Sequence, residues 1–125
     1  MSAAQRPAIR HRRLVERKNI MATNRSISKR YERMPFLYWW DVWDGRREAI
    51  RRHGELVLIQ RDTGKKARVK AEDLLPLLTE RRRTSRGRNI GGRGNWGIYV
   101  RPGRIDEIEV AGDHKFPARL AVMWT

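Results

Sequence analysis

The chain has 125 residues, 39% of them apolar, enough for one domain with a lean core. It holds no cysteine, which excludes a disulfide framework, a thiolate metal site and a cysteine nucleophile. Its 29 Arg and Lys against 14 Asp and Glu leave a formal charge of +15, a self-repulsion that opposes compaction unless a polyanion neutralises it.

Residues 1–33 carry Arg10, Arg12, Arg13, Arg25, Lys29 and Arg30 among their cations, only Glu16 and Glu32 as acids, and few large apolar side chains. Such a stretch buries too little surface to offset the entropy of ordering. The expectation is a flexible basic arm with an r.m.s. reach of about 30 Å, able to form a helix over residues 8–19 on contact. Met21 opens "MATNRS", a second plausible start. No apolar run follows the basic N-terminus as a signal peptide requires, and no stretch approaches the roughly eighteen apolar residues of a membrane span. An intracellular place is expected, cytoplasmic or nucleoid-associated, or else inside a nucleoprotein particle or virion; no membrane partner is expected.

Residues 34–125 read as a single β-rich domain. In "MPFLYWWDVWDGRREAIRRHG", alternation puts Phe36, Tyr38, Trp40 and Val42 on one side of a strand and Leu37, Trp39 and Trp43 on the other. Trp40 is assigned to the core, and Trp39 and Trp43 stay open between core, base stacking and a protein contact or self-association. A helix from Asp44 to His53 follows, capped by Asp44 and ended by Gly54. Its Arg46, Arg47, Arg51 and Arg52 form a basic outer surface around Ala49 and Ile50.

"ELVLIQRDTGKKARVK" is a β-hairpin with a three-residue loop, Asp62-Thr63-Gly64, in which Gly64 takes a positive φ; Lys65 and Lys66 leave that turn. "AEDLLPLL" is a helical turn kinked by Pro76. After an Arg/Gly loop over 81–97 come three strand candidates, "WGIYVR", "IDEIEV" and "ARLAVMW", the last with Leu120, Val122 and Trp124 on one face. The expected fold is α+β, mostly β: a small curled antiparallel sheet or partly open SH3-like or OB-like barrel with one or two short helices.

Gly92 to Gly97 fits G-x-G-x-x-G, but no strand leads in and no helix leaves, so the dinucleotide reading fails on context. The same loop carries Arg81, Arg82, Arg83, Arg86, Arg88 and Arg93 without an intervening acid. Glycines let such a backbone approach phosphates, and Trp96 offers either a face for an unpaired base or a core anchor. Asp106, Glu107, Glu109 and Asp113 crowd an acidic stretch expected to mark the face turned away from nucleic acid, where it pairs with Arg101, Arg104 or a neighbouring subunit. Asp113-His114-Lys115 is also the D-x-K element of a metal nuclease, and His114 with Lys115 and Arg119 fits a toxin-like ribonuclease. Neither has a complete constellation, so no catalytic residue, metal or cofactor is expected. The expectation is a non-enzymatic nucleic-acid-binding protein, for DNA or RNA, dominated by phosphate contacts. The alternative is a structural part of a ribonucleoprotein or virion that docks protein through its Trp cluster.

Overall fold

The computed structural model describes residues 23–84, 94–113 and 115–125. Within them the chain is mostly β with two short α-helices, and its strands form two small sheets that do not close into a barrel. Strands β1 (Arg25–Ser28), β3 (Glu55–Gln60) and β4 (Lys66–Lys70) make a three-stranded sheet in the order β1-β3-β4. Strands β2 (Tyr38–Val42), β5 (Trp96–Val100), β6 (Glu107–Val110) and β7 (Ala118–Ala121) make a four-stranded sheet in that order. The expected small, mostly β fold with short helices is what the chain builds, divided into two sheets that do not close into a barrel, with β1 parallel to β3.

Strand β1 lies inside the stretch read as an arm. Its inward positions are Ser26 and Ser28, so it lacks the apolar alternation that marks a strand. Backbone pairing places it: the Val57 N–H donates to Asn24 O and the Arg61 N–H to Ser28 O, both at 2.8 Å. The Ser28 hydroxyl then accepts the Trp39 N–H at 3.0 Å, joining the two sheets.

The remaining elements follow from local chemistry. Alternation in β2 sends Tyr38, Trp40 and Val42 inward, where they meet Trp96, Ile98 and Val100 of β5 and Ile108 and Val110 of β6. Leu56, Leu58 and Val69 of the other sheet join the same cluster. Trp40 is 1% exposed, stacks with Tyr38 and Trp124, and donates its indole N–H to Ile59 O at 3.1 Å. Thr125 exchanges two backbone hydrogen bonds with Lys66, at 2.9 and 3.0 Å, so the tail beyond β7 ties the four-stranded sheet to the edge of β4.

Helix α1 (Asp44–His53) buries Ala49 and Ile50. Its N-cap residue is Trp43, extended at φ −103° and without a side-chain cap, so the helix starts one position earlier than an Asp44 cap would place it, and Asp44 sits in the first turn, where its charge suits the helix dipole. Its C-terminal end is as read: Gly54 at φ 80° returns its N–H to Ile50 O, the glycine-ended helix stop. The β3–β4 loop spans residues 61–64, one residue longer than expected, because Gln60 still pairs with Lys65; Gly64 has φ 73°. Helix α2 (Ala71–Leu74) passes at Pro76 into a 3₁₀ turn, Leu75–Leu77.

Candidate nucleic-acid interface

Register across the four-stranded sheet sets Trp39, Tyr99, Glu109 and Arg119 in one row on its outer face. Trp39 stacks on Tyr99 with ring centroids 5.6 Å apart and planes 9° from parallel. It can lie flat there because position 97 is glycine; a Cβ would sit 2.1 Å from the Trp39 ring. Glu109 is buried, and its two oxygens accept from Arg101 Nε at 2.6 Å and Arg119 Nε at 2.7 Å. Burial pushes this carboxyl up, but hydrogen bonds from Tyr99, Arg101 and Arg119 outweigh it and hold the group below its ordinary range. A groove of about 570 Å³ runs over this row, with Phe36, Trp39, Tyr99, Arg101 and Arg119 in its walls and Thr84 at its rim.

The acidic stretch pairs with Arg101, as expected, and also with Arg119 and Arg81. Arg81 Nε lies 3.2 Å from Asp113. Of the carboxylates that could accompany Asp113 in a metal site, Asp106 or Glu109, both Glu109 oxygens are held by guanidiniums, whereas Asp106 is exposed. Among the described residues no three His, Cys, Asp or Glu come together as a metal site.

The start of the Arg/Gly loop turns inward. Arg82 is buried, donates to Phe116 O, and keeps one Nη that finds no partner among the described residues. Arg83 is bound on several sides: to Glu80 and Asp44 at 2.7 Å each, and to Gly94 O at 3.0 Å. These partners raise its pKa further. Its guanidinium also lies 3.9 Å above the Trp96 ring, within cation–π range. Trp96 is 2% exposed and donates its indole N–H to Thr79 O at 2.7 Å. The base-stacking reading of Trp96 is thereby corrected: its ring belongs to the core and an arginine covers a face. The two described glycines of the pattern serve packing: a Cβ at Gly94 would collide with the Thr84 carbonyl, and Gly97 lies within a strand under the Trp39 ring.

Helix α1 presents its arginines unequally. Arg51 pairs with Glu48 at the surface, a contact worth little, and Arg52 is exposed. Arg47 and Arg46, read as outer surface, are half-buried. Arg47 lies 5.8 Å from the Trp96 ring. The Arg46 Nε is buried without a hydrogen-bond partner, and burial lowers this guanidinium's pKa against an opposing pull from Asp41.

Parallel pairing of β1 with β3 has an electrostatic consequence. Both strands finish at the same end of the sheet, beside the β3–β4 loop, which puts Lys29 and Arg30 beside Arg61 and at the same end as Lys65 and Lys66, across β3. Arg25 is exposed at the start of β1. None of these six has an acid at ion-pair distance among the described residues. Nearby, the Asp41 and Asp62 carboxylates instead accept the Trp39 indole N–H at 2.9 Å and the Tyr38 hydroxyl at 2.7 Å. Arg61 was not singled out in the sequence, where it reads as one more turn residue. A second groove, of about 670 Å³, opens at this end between β1 and the junction of β2 with α1.

Of the expected contact residues, Arg10, Arg12, Arg13, Arg86, Arg88 and Arg93 lie outside the described residues, as does His114. Residues 1–22 hold six cations against one acid and residues 85–93 three against none, so the described residues carry twenty cations and thirteen acids. No described helix is long and apolar enough to cross a membrane. Comparison with known protein families, with curated proteins and with solved structures gave no match.

Proposed function

We propose that this chain is a small nucleic-acid-binding protein that holds DNA or RNA mainly through phosphates, with little sequence preference. The observation that supports this reading is the end of the three-stranded sheet where Lys29, Arg30, Arg61, Lys65 and Lys66 converge without ion-pair partners. Cations kept together and unpaired repel one another, and a polyphosphate relieves that repulsion while releasing its own counterions. The Arg-rich segments 1–22 and 85–93 add charge of the same sign.

The test is a salt-titrated binding assay on duplex DNA, single-stranded DNA and structured RNA in parallel, using wild type and a Lys29→Gln, Arg30→Gln, Arg61→Gln, Lys65→Gln variant. Each phosphate contact contributes roughly 0.9 to the slope of log affinity against log salt on duplex DNA, so the variant's slope should be shallower by about 3 to 4. Wild type that ignores all three nucleic acids in dilute buffer would sink the proposal.

A second reading draws on Glu109, a carboxylate between two arginines in the groove that Thr84, the residue before segment 85–93, borders. Cleavage of RNA needs a base to take the proton of the ribose 2′-hydroxyl as it attacks phosphorus, cations for the phosphate, and a proton, which water can supply, for the 5′-oxygen that leaves as its bond to phosphorus breaks; it needs no protein nucleophile. A carboxyl held below its ordinary range is a weak base, which ranks this second. Inspecting the RNA after the same assay decides it: cleavage that Glu109→Gln abolishes would promote it.

A further inference from the structure

The groove at the cationic end is walled by aromatic rings as well as by charge. Trp43 and Tyr31 line it with Lys29, Arg46 and Arg61, and Trp39 and Asp41 complete its wall. Tyr31 packs edge-on against Phe36 and carries the Lys29 ammonium 5.0 Å from its centroid, and Trp39 is committed to Tyr99. Trp43 differs from both. It is half-buried, it is not part of the apolar core, and among the described residues its indole stacks on no ring and bonds no acceptor.

Arg46 is the second unusual feature. It reaches the groove from the first turn of α1, with its Nε buried and unpaired. A buried polar atom without a partner is rare, and it costs free energy that a bound acceptor would return. Lys29 and Arg61 stand at the same wall with no ion pair among the described residues. Three cations against Asp41 favour an anion, and the ring beside them favours a flat apolar surface. One chemical unit has both: a nucleotide whose base is free of its complement.

We propose that this groove is a subsite for one unpaired nucleotide of a nucleic-acid strand, with the base on Trp43 and the phosphate on Arg46, Lys29 and Arg61. The assignment rests on the nucleic-acid reading above and deepens it, because phosphate contact alone does not distinguish a single strand from a duplex. A paired base has its faces covered by its neighbours in the stack, so the subsite engages single strands and leaves the duplex to the surface cations.

The experiment compares a single strand of roughly twelve nucleotides, within the span such proteins cover, with the duplex of the same sequence, by fluorescence anisotropy on the full chain. Trp43→Ala should weaken single-strand binding roughly 5- to 100-fold, the worth of one stacked base, and leave duplex affinity unchanged. Trp43→Phe, which keeps an aromatic face, should restore most of the loss. Arg46→Met should also weaken the single strand while thermal stability holds or rises, since it removes a desolvated cation.

Equal losses on both nucleic acids, or no loss on either, would overturn the subsite and leave the binding function standing. Wild type that binds neither would overturn both. If Trp43→Ala keeps its single-strand affinity but loses self-association in sedimentation, the groove belongs to a second copy of the chain and the nucleotide assignment fails.

Discussion

Two surfaces of this protein carry arginine to different ends. On the outer face of the four-stranded sheet, Arg101 and Arg119 close on Glu109, and nearby Arg83 is bound to Asp44, Glu80 and a backbone carbonyl. At the end of the three-stranded sheet, Lys29, Arg30, Arg61 and Lys65 have no such partners among the described residues. A cation bound to several fixed acceptors is committed to the fold, and where the acid is buried, as at Glu109, its removal leaves a buried charge short of a partner. One held by nothing adds repulsion to the folded state and is available to a ligand. Net charge alone cannot separate the two kinds.

The largest effect should come from shortening the chain at two places. Deleting residues 1–22 removes six cations and should flatten the salt dependence of binding while the protein still unfolds cooperatively. Deleting residues 1–33 also removes β1, exposing the β3 edge that pairs with it and the Ser28 bond to Trp39. Unpaired edges invite association, so the longer deletion should aggregate or lose its cooperative transition. Circular dichroism and light scattering during heating check this, and equal behaviour of the two deletions would remove β1 from the fold.

Single arginines sharpen the same contrast. Arg83→Ala should cost about 1–3 kcal/mol in urea denaturation, because it removes a nearly buried guanidinium from the Trp96 face and from the Gly94 carbonyl, while the exposed Asp44 and Glu80 carboxylates return to water. Arg61→Ala should change stability by no more than about 0.5 kcal/mol and weaken nucleic-acid binding. If both lose stability alike, the division into committed and available cations is wrong.

Gly97→Ala tests the aromatic row. The added Cβ falls 2.1 Å from the Trp39 ring, so the ring must leave Tyr99 or the strand must shift, at about 1–3 kcal/mol. Tryptophan fluorescence should change along with stability. An unaltered spectrum would mean that Trp39 does not lie over β5.

The sequence made some of this legible and concealed the rest for physical reasons. The β3–β4 hairpin and the end of α1 could be read because alternation and glycine act locally: Ala67 and Val69 turn in, and Gly54 and Gly64 take positive φ. The inward side chains of β1 are serines, which carry no such pattern, so this strand is indistinguishable in sequence from the basic stretch before it. Arg81, Arg82 and Arg83 read as free cations because, apart from Glu80 beside Arg83, their partners are remote in sequence: Asp44, Asp113 and the Phe116 carbonyl. Lys29, Arg30, Lys65 and Lys66 were legible as charge. That they meet, and that Arg61 joins them, depends on a parallel pairing no local signal announces.

The smallest effect is a titration at the junction of the two surfaces. Tyr38 lies in the core with its hydroxyl on Asp62, and burial, reinforced by that hydrogen bond, pushes its pKa to about 12. Its unfolded value is about 10. A group raised on folding contributes stability in full below the unfolded pKa and loses it as pH climbs through the folded one. At neutral pH Tyr38→Phe should be less stable by about 1 kcal/mol, the worth of one hydrogen bond. Above pH 10 the wild type alone must hold back this ionisation, so the gap should narrow and then reverse towards pH 12. Urea midpoints measured across that range decide the matter, and a constant gap would mean that the Tyr38 hydroxyl is not held in the core against Asp62.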